Sequence, residues 1–158
     1  MRVWWIPVFI VLLSNTCCSH KTIYPSMTVH ALRLRPGQDL RQELEAFARR
    51  EHLQAGFIIT CVGSLQQAVI RPANQPNALT RVEKFEIVSL TGTLSPDGPH
   101  LHIALSDSLG NTFGGHLLAG SLVYTTAEIV VGEAEHLRFS RETDSTTTYK
   151  ELKINPRQ

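Results

Sequence analysis

Apolar and polar positions alternate from Thr28 to Arg35, with Val29 and Ala31 in step and Leu34 breaking it near the end, which predicts a strand. Pro36-Gly37 then predicts a turn. Over Asp39 to Glu51 the period changes. Leu40, Leu44, Phe47 and Ala48 fall on one face of a helix, and Arg41, Glu45, Arg49 and Arg50 fall largely on the other. Gly56 supplies a stop, and the apolar run Phe57 to Val62 reads as a buried strand.

The rest of the chain predicts strands only. Gln67 to Arg71 is a short one, and Pro72 to Thr80 is a polar loop rich in Asn and Pro. Lys84 to Thr93 is a strand with Phe85 and Ile87 on one face. Ser95 to Gly98 turns into a strand over His100 to Leu105, and the loop Ser106 to Asn111 leads back through Thr112 to Leu118. Tyr124 to Val131 is the last strong strand, and the stretch after Arg141 reads as a frayed or edge segment. One helix followed by a run of strands is an α+β pattern: a largely antiparallel mixed sheet packed with one main helix.

The 158 residues suffice for one domain that can bury a core unaided. We divide them into an N-terminal extension (1–26), a domain (27–141) and a C-terminal edge segment or tail (142–158). Charge changes the picture once it is split. Residues 1–26 hold Arg2 and Lys21 and no acids, which leaves 27–158 with 13 basic and 14 acidic side chains, a net of −1. Duplex binding rests on neutralising phosphates and usually shows as a basic domain, so this balance argues against a stand-alone nucleic-acid binder. Three cysteines, Cys17, Cys18 and Cys61, make no disulfide framework, and Cys61 in its apolar run reads as a buried small hydrophobe.

The extension has two readings. Arg2, the apolar stretch Val3 to Leu13 and the small polar residues Ser14 to Ser19 match a secretory signal peptide. The stretch is too short for a stable membrane span. Alternatively, Met27 is the true start and the first 26 residues come from an over-extended gene model. The protein is secreted on the first reading and cytoplasmic on the second.

The candidate chemistry lies in the histidines. His100 and His102 are two apart on a predicted strand and so project to the same face. A hairpin loop of odd length centred near Leu109 sets His116 opposite His102, with Cβ atoms about 5 Å apart. Three converging imidazoles suit zinc and leave one coordination position open. The same spacing also fits half-exposed histidines with no metal. Gly114 and Gly115, just before His116, signal either a close backbone approach or a β-bulge. His20, His30, His52 and His136 lack such partners and read as surface or locally satisfied residues. Glu86, between Phe85 and Ile87, is a weak catalytic candidate: facing inward it would need a partner such as a ligand histidine, and facing outward it is only solvated. Asp107 and Ser108 read as turn residues, and no nucleophile elbow, P-loop or His-Glu-x-x-His motif occurs.

Several ordered segments together resemble the plant and prokaryote conserved (PPC) domain family. Lys84-Phe85-Glu86-Ile87-Val88-Ser89-Leu90-Thr91-Gly92 is similar to one of its stretches, and Pro99-His100-Leu101-His102-Ile103-Ala104-Leu105-Ser106-Asp107 to another. Gly114-Gly115-His116-Leu117 and Tyr124-Thr125-Thr126-Ala127-Glu128 continue the likeness, which runs from about Met27 to Leu137. The resemblance implies a small α+β domain that forms homotrimers. It also implies a prokaryotic-type member, whose histidine segments bind zinc; that role falls here on His100, His102 and His116. Plant members join the domain to an AT-hook with an Arg-Gly-Arg core, which this chain lacks. The resemblance and the residues together leave three expectations: a trimeric zinc-binding domain of undefined role, a zinc-dependent enzyme using the open position, and a DNA-associated regulator as the family's usual naming suggests.

Overall fold

Asp39 begins the only helix among the described residues, and it does so by capping. Its carboxylate accepts the backbone N–H groups of Arg41 and Gln42 at 3.0 and 3.1 Å, donors that the first turn otherwise leaves unpaired. In the computed structural model, which describes residues 26–157, that helix is α1 (Leu40–Arg50). Leu40, Leu44, Phe47 and Ala48 are buried as their spacing predicts, and fully burying a leucine side chain contributes about 1.5–3 kcal/mol. Arg49 and Arg50 fall in the last turn, where cations oppose the negative end of the helix dipole.

Among the described residues there are nine strands: β1 (Met27–Leu34), β2 (Gly56–Arg71), β3 (Leu79–Arg81), β4 (Phe85–Ser95), β5 (Gly98–Ser106), β6 (Thr112–Leu117), β7 (Leu122–Ala134), β8 (Leu137–Thr143) and β9 (Lys150–Pro156). The fold is therefore strand-dominated with one short helix, rather than an even balance of the two. The main sheet runs β1-β7-β2-β4-β5-β6, with β3 on β2. Every pairing among these strands is antiparallel, so the expected mixed sheet is corrected. The reason is topological. The crossover through α1 leaves β1 and β2 running the same way, but β7 inserts between them and pairs antiparallel with both.

β2 is longer than expected because the two strands predicted within it are one. Its end also pairs with β6, Ile70 opposite Leu117 and Arg71 opposite His116, so the path β2-β4-β5-β6 closes on itself. Leu65, Phe85, Leu101 and Leu105 on those strands are fully buried in the core, as is Val123 on β7. Within the predicted loop Pro72 to Thr80, Leu79 and Thr80 instead join Arg81 in β3.

The stretch after Arg141 is ordered into the second arm of a hairpin. Asp144 accepts N–H bonds from Thr146 and Thr147 at the turn, and β8 pairs with β9 from Leu137–Pro156 to Thr143–Lys150. A lone hairpin is marginal in water. This one is anchored: Phe139 is buried and its N–H meets the Gln54 carbonyl at 2.8 Å, while Arg141 N–H meets Asp97 Oδ2 at 2.8 Å. The signal-peptide reading, Cys17, Cys18 and His20 lie outside the described residues.

Candidate metal centre

The antiparallel register builds the site. β5 pairs with β6 without a shift from His102–His116 to Ser106–Thr112, so these two histidines stand directly opposite each other. Leu101 and Ile103 point into the core, which turns His100 and His102 to the outer face of the same strand. The three rings meet there, with centroids 5.3 Å apart for His100–His102, 5.1 Å for His100–His116 and 5.5 Å for His102–His116. One nitrogen from each lies within 4.8 Å of the others. A tetrahedral zinc with bonds of 2.0–2.1 Å separates its ligand nitrogens by about 3.3 Å, a distance that modest side-chain rotations reach.

Gly115 explains how β6 comes so close. A Cβ there would sit 2.6 Å from the Arg71 carbonyl oxygen, nearer than real Cβ atoms approach. Of the two expectations for the glycine pair, close approach is the one realised, since the register through Gly114 and Gly115 carries no bulge.

The electrostatics favour the neutral form of two of the three imidazoles, His116 and His100. The pKa of His116 is held down to about 4, first by its own burial and then by the positive potential of His100, His102 and Arg71. His100 is lowered too, by burial, then Arg141 and His102, while Glu151 pulls the other way. Nδ1 of His116 is buried and has no hydrogen-bond partner among the described residues. A buried polar atom left so costs free energy that a metal bond or a proton acceptor would recover. A buried, unpartnered imidazole nitrogen on one of three clustered histidines is a donor that a borderline-soft divalent ion takes.

His100 and His116 also line a cavity of about 600 Å³, together with Arg71, Asp97, Arg141, Tyr149, Lys150 and Glu151. Sequence reasoning missed these cavity residues. Arg71 closes an apolar strand and offers no periodic signal, and Arg141 and Lys150 lie in or beside the stretch expected to fray.

Glu86 is not brought to the site. It is exposed and pairs with Ser106, four residues along β5 from His102, which is about 13 Å at strand spacing. It serves none of the three clustered histidines as a partner. Asp107 caps the β5–β6 turn, accepting the N–H groups of Leu109 and Asn111 at 2.9 Å each. Cys61 is buried and its thiol is pushed up to about 12 by burial, which leaves it without thiolate character. His52 and His136 are exposed as expected. His30 differs: its ring packs edge-on against Phe47 at 5.6 Å, and its Nε2 is buried without a partner among the described residues.

A family model described as the Plants and Prokaryotes Conserved (PCC) domain matches residues 22–135. The bifunctional protein GlmU of Synechococcus sp. (strain JA-3-3Ab) is 54% identical over 129 residues, which cover 82% of this chain and 21% of that protein. The chain thus spans about a fifth of the length of the curated relatives it matches. Among solved structures, a hypothetical protein from Salmonella cholerae-suis is 41% identical with a TM-score of 0.84, covering 85% of this chain and 98% of that one. A metal-containing protein from Archaeoglobus fulgidus is 27% identical with a TM-score of 0.67, covering 80% and 93%.

Proposed function

The chain belongs to the Plants and Prokaryotes Conserved (PCC) domain family, and from that premise we propose that it is a metal-binding domain in which His100, His102 and His116 hold one divalent ion, zinc by the chemistry of three imidazoles. The observation that carries this reading is the convergence of three ring nitrogens within 4.8 Å, one ring of which has a buried nitrogen without a partner. The metal-containing relative from Archaeoglobus fulgidus supports it. Elemental analysis of the purified chain beside His102→Ala tests it. Near one zinc per chain, lost in the variant, is the expected result; no metal in the parent after reconstitution with zinc would overturn the reading.

We further propose that the domain assembles as a homotrimer. Support comes from the outer face of the main sheet, where Val29, Ile59 and Val62 are about half exposed on strands that otherwise pack well. Sedimentation at equilibrium tests this.

A second reading, a zinc-dependent enzyme, is favoured by the cavity beside His100 and His116. Three histidines leave a coordination position that a water or substrate can take, and a zinc-bound water ionises near neutral pH. Glu86 stands too far away to act as its base, so a base would have to come from the cavity itself. Turnover lost in His102→Ala would support this reading. The DNA-associated reading finds little in the charge: residues 27–158 carry 13 basic and 14 acidic side chains. A mobility shift persisting at physiological salt would favour it, and none at low salt would end it.

A further inference from the structure

The cavity beside the histidines has a chemical character of its own. Arg71 leaves the end of β2, paired with His116; Arg141 lies on β8 and Lys150 on β9. All three line the same space as His100 and His116. Among the described residues none of the three takes part in an ion pair. The Arg141 guanidinium donates to the Lys150 carbonyl, which holds it across the hairpin. The two acids at the cavity are already engaged: Asp97 accepts the Arg141 N–H at 2.8 Å, and Glu151 accepts the Thr147 hydroxyl at 3.0 Å. The lining is net positive before any metal is added, and a divalent ion adds two further charges.

We propose that this cavity binds a small organic anion carrying at least two negative charges, one oxygen of which completes the coordination of the metal while Arg71, Arg141 and Lys150 hold the rest. The proposal rests on the metal reading above. A space of about 600 Å³ is the size of a metabolite site. Guanidinium groups pair bidentately with carboxylate and phosphate oxygens, and an ammonium adds a point charge. Hard oxygen donors are also what an open position on a three-histidine zinc accepts. The recognition is confined to one concavity on a domain whose remaining side chains are 10 basic and 12 acidic, which is the arrangement for a small anion and not for a nucleic-acid backbone. Two of the three cations come from the β8–β9 hairpin, beyond residues 22–135 that the family model matches.

Dicarboxylates and phosphate esters share this chemistry, and the test separates them. The full chain is loaded with Co²⁺, whose visible spectrum reports its ligands, and titrated with succinate, inorganic phosphate and neutral succinamide at constant ionic strength. A saturable spectral change with succinate or phosphate, absent with succinamide, is expected. It weakens about tenfold or more in Arg71→Gln and in Lys150→Gln while bound cobalt per chain stays constant. Preference for phosphate assigns a phosphate ester, and preference for succinate a carboxylate. Cobalt bound with no response to either anion, or with a response in both variants equal to the parent's, overturns the anion site and leaves the metal reading standing. No bound cobalt overturns both.

Discussion

His102 and His116 face each other across β5 and β6 with ring centroids 5.5 Å apart, and the register that sets them there is fixed by the turn between the two strands. Asp107 locks that turn with bonds to Leu109 and Asn111. The turn and the ladder that follows it thus bring the imidazoles of two strands to one face.

His102 is exposed, so His102→Ala should leave the metal-free protein within about 0.5 kcal/mol of the parent. Metal affinity should nonetheless fall by at least about 100-fold, since even outer partners of ligand histidines are worth 10–100-fold. Competition against a chromophoric chelator measures the affinity, and urea unfolding the stability. Equal zinc affinity in variant and parent would remove His102 from the ligand set.

Metal should stabilise the fold by mass action. At zinc concentrations 100 times Kd the gain is about 2.7 kcal/mol. For a domain of this size that corresponds to a rise in Tm of roughly 5–10 °C. Thermal unfolding with and without a chelator reads it directly, and a Tm indifferent to both zinc and chelator would contradict a site that spans β5 and β6.

The metal-free protein should lose stability as acid is added, over a definite window. The pKa of His116 is about 4 in the folded chain, below the ordinary imidazole value of 6.5 that the unfolded chain recovers; His100 is lowered in the same sense. The unfolded state therefore takes up protons first. Stability is fully present above about pH 6.5 and is lost as the pH falls toward 4. Urea midpoints across that range should fall, with a shallower slope in His116→Gln. A normal titration of His116 by NMR in the metal-free chain would show that the burial does not hold it neutral.

Gly115→Ala probes the seam between β2 and β6. The added methyl would meet the Arg71 carbonyl oxygen at 2.6 Å, and backbone rather than a flexible side-chain tip has to move. Overpacking of this kind costs about 1–3 kcal/mol. Because the same contact sets His116 beside Arg71, the variant should also bind zinc more weakly. Leu109→Ser, at a position 85% exposed, is the matched control and should change neither. A fully stable Gly115→Ala with native zinc affinity would show that the strands have slack there.

The histidine geometry was legible because the spacing from His102 to His116 fixes a register once the turn is placed, and strand alternation then assigns the face. α1 was legible for a similar reason: four apolar positions and one capping aspartate. The cavity was not legible. It is made where the end of β2 meets β6 and where the β8–β9 hairpin folds back on the body, both long-range pairings that leave no local period. Thr- and Ser-rich residues after Arg141 look unstructured by composition, yet Phe139 buried against the body and the Asp97 carboxylate on the Arg141 N–H hold them. Reading β2 as two strands had the same origin, because Gly63 and Ser64 interrupt the apolar run, whereas β2 passes through a register shift there and pairs with β7 on both sides of it.

The outer face of the sheet gives the last prediction. Val62 is 56% exposed and Ile59 47% exposed on β2, a strand flanked on both sides by β7 and β4. With Ala31, Leu32 and Val130, Val62 lines a shallow groove of about 460 Å³ with few polar atoms. An interior strand that turns large aliphatic side chains outward exposes surface that self-association would cover, at about 25 cal/mol per Å² of apolar area buried. If the proposed trimer uses this face, Val62→Glu should shift the protein to monomers in equilibrium sedimentation while its circular dichroism stays that of the parent. Zinc content should also persist, because β5 and β6 carry the histidines on another part of the sheet. A parent chain that sediments as a monomer at every concentration would end the trimer proposal, and a trimeric Val62→Glu would move the interface elsewhere.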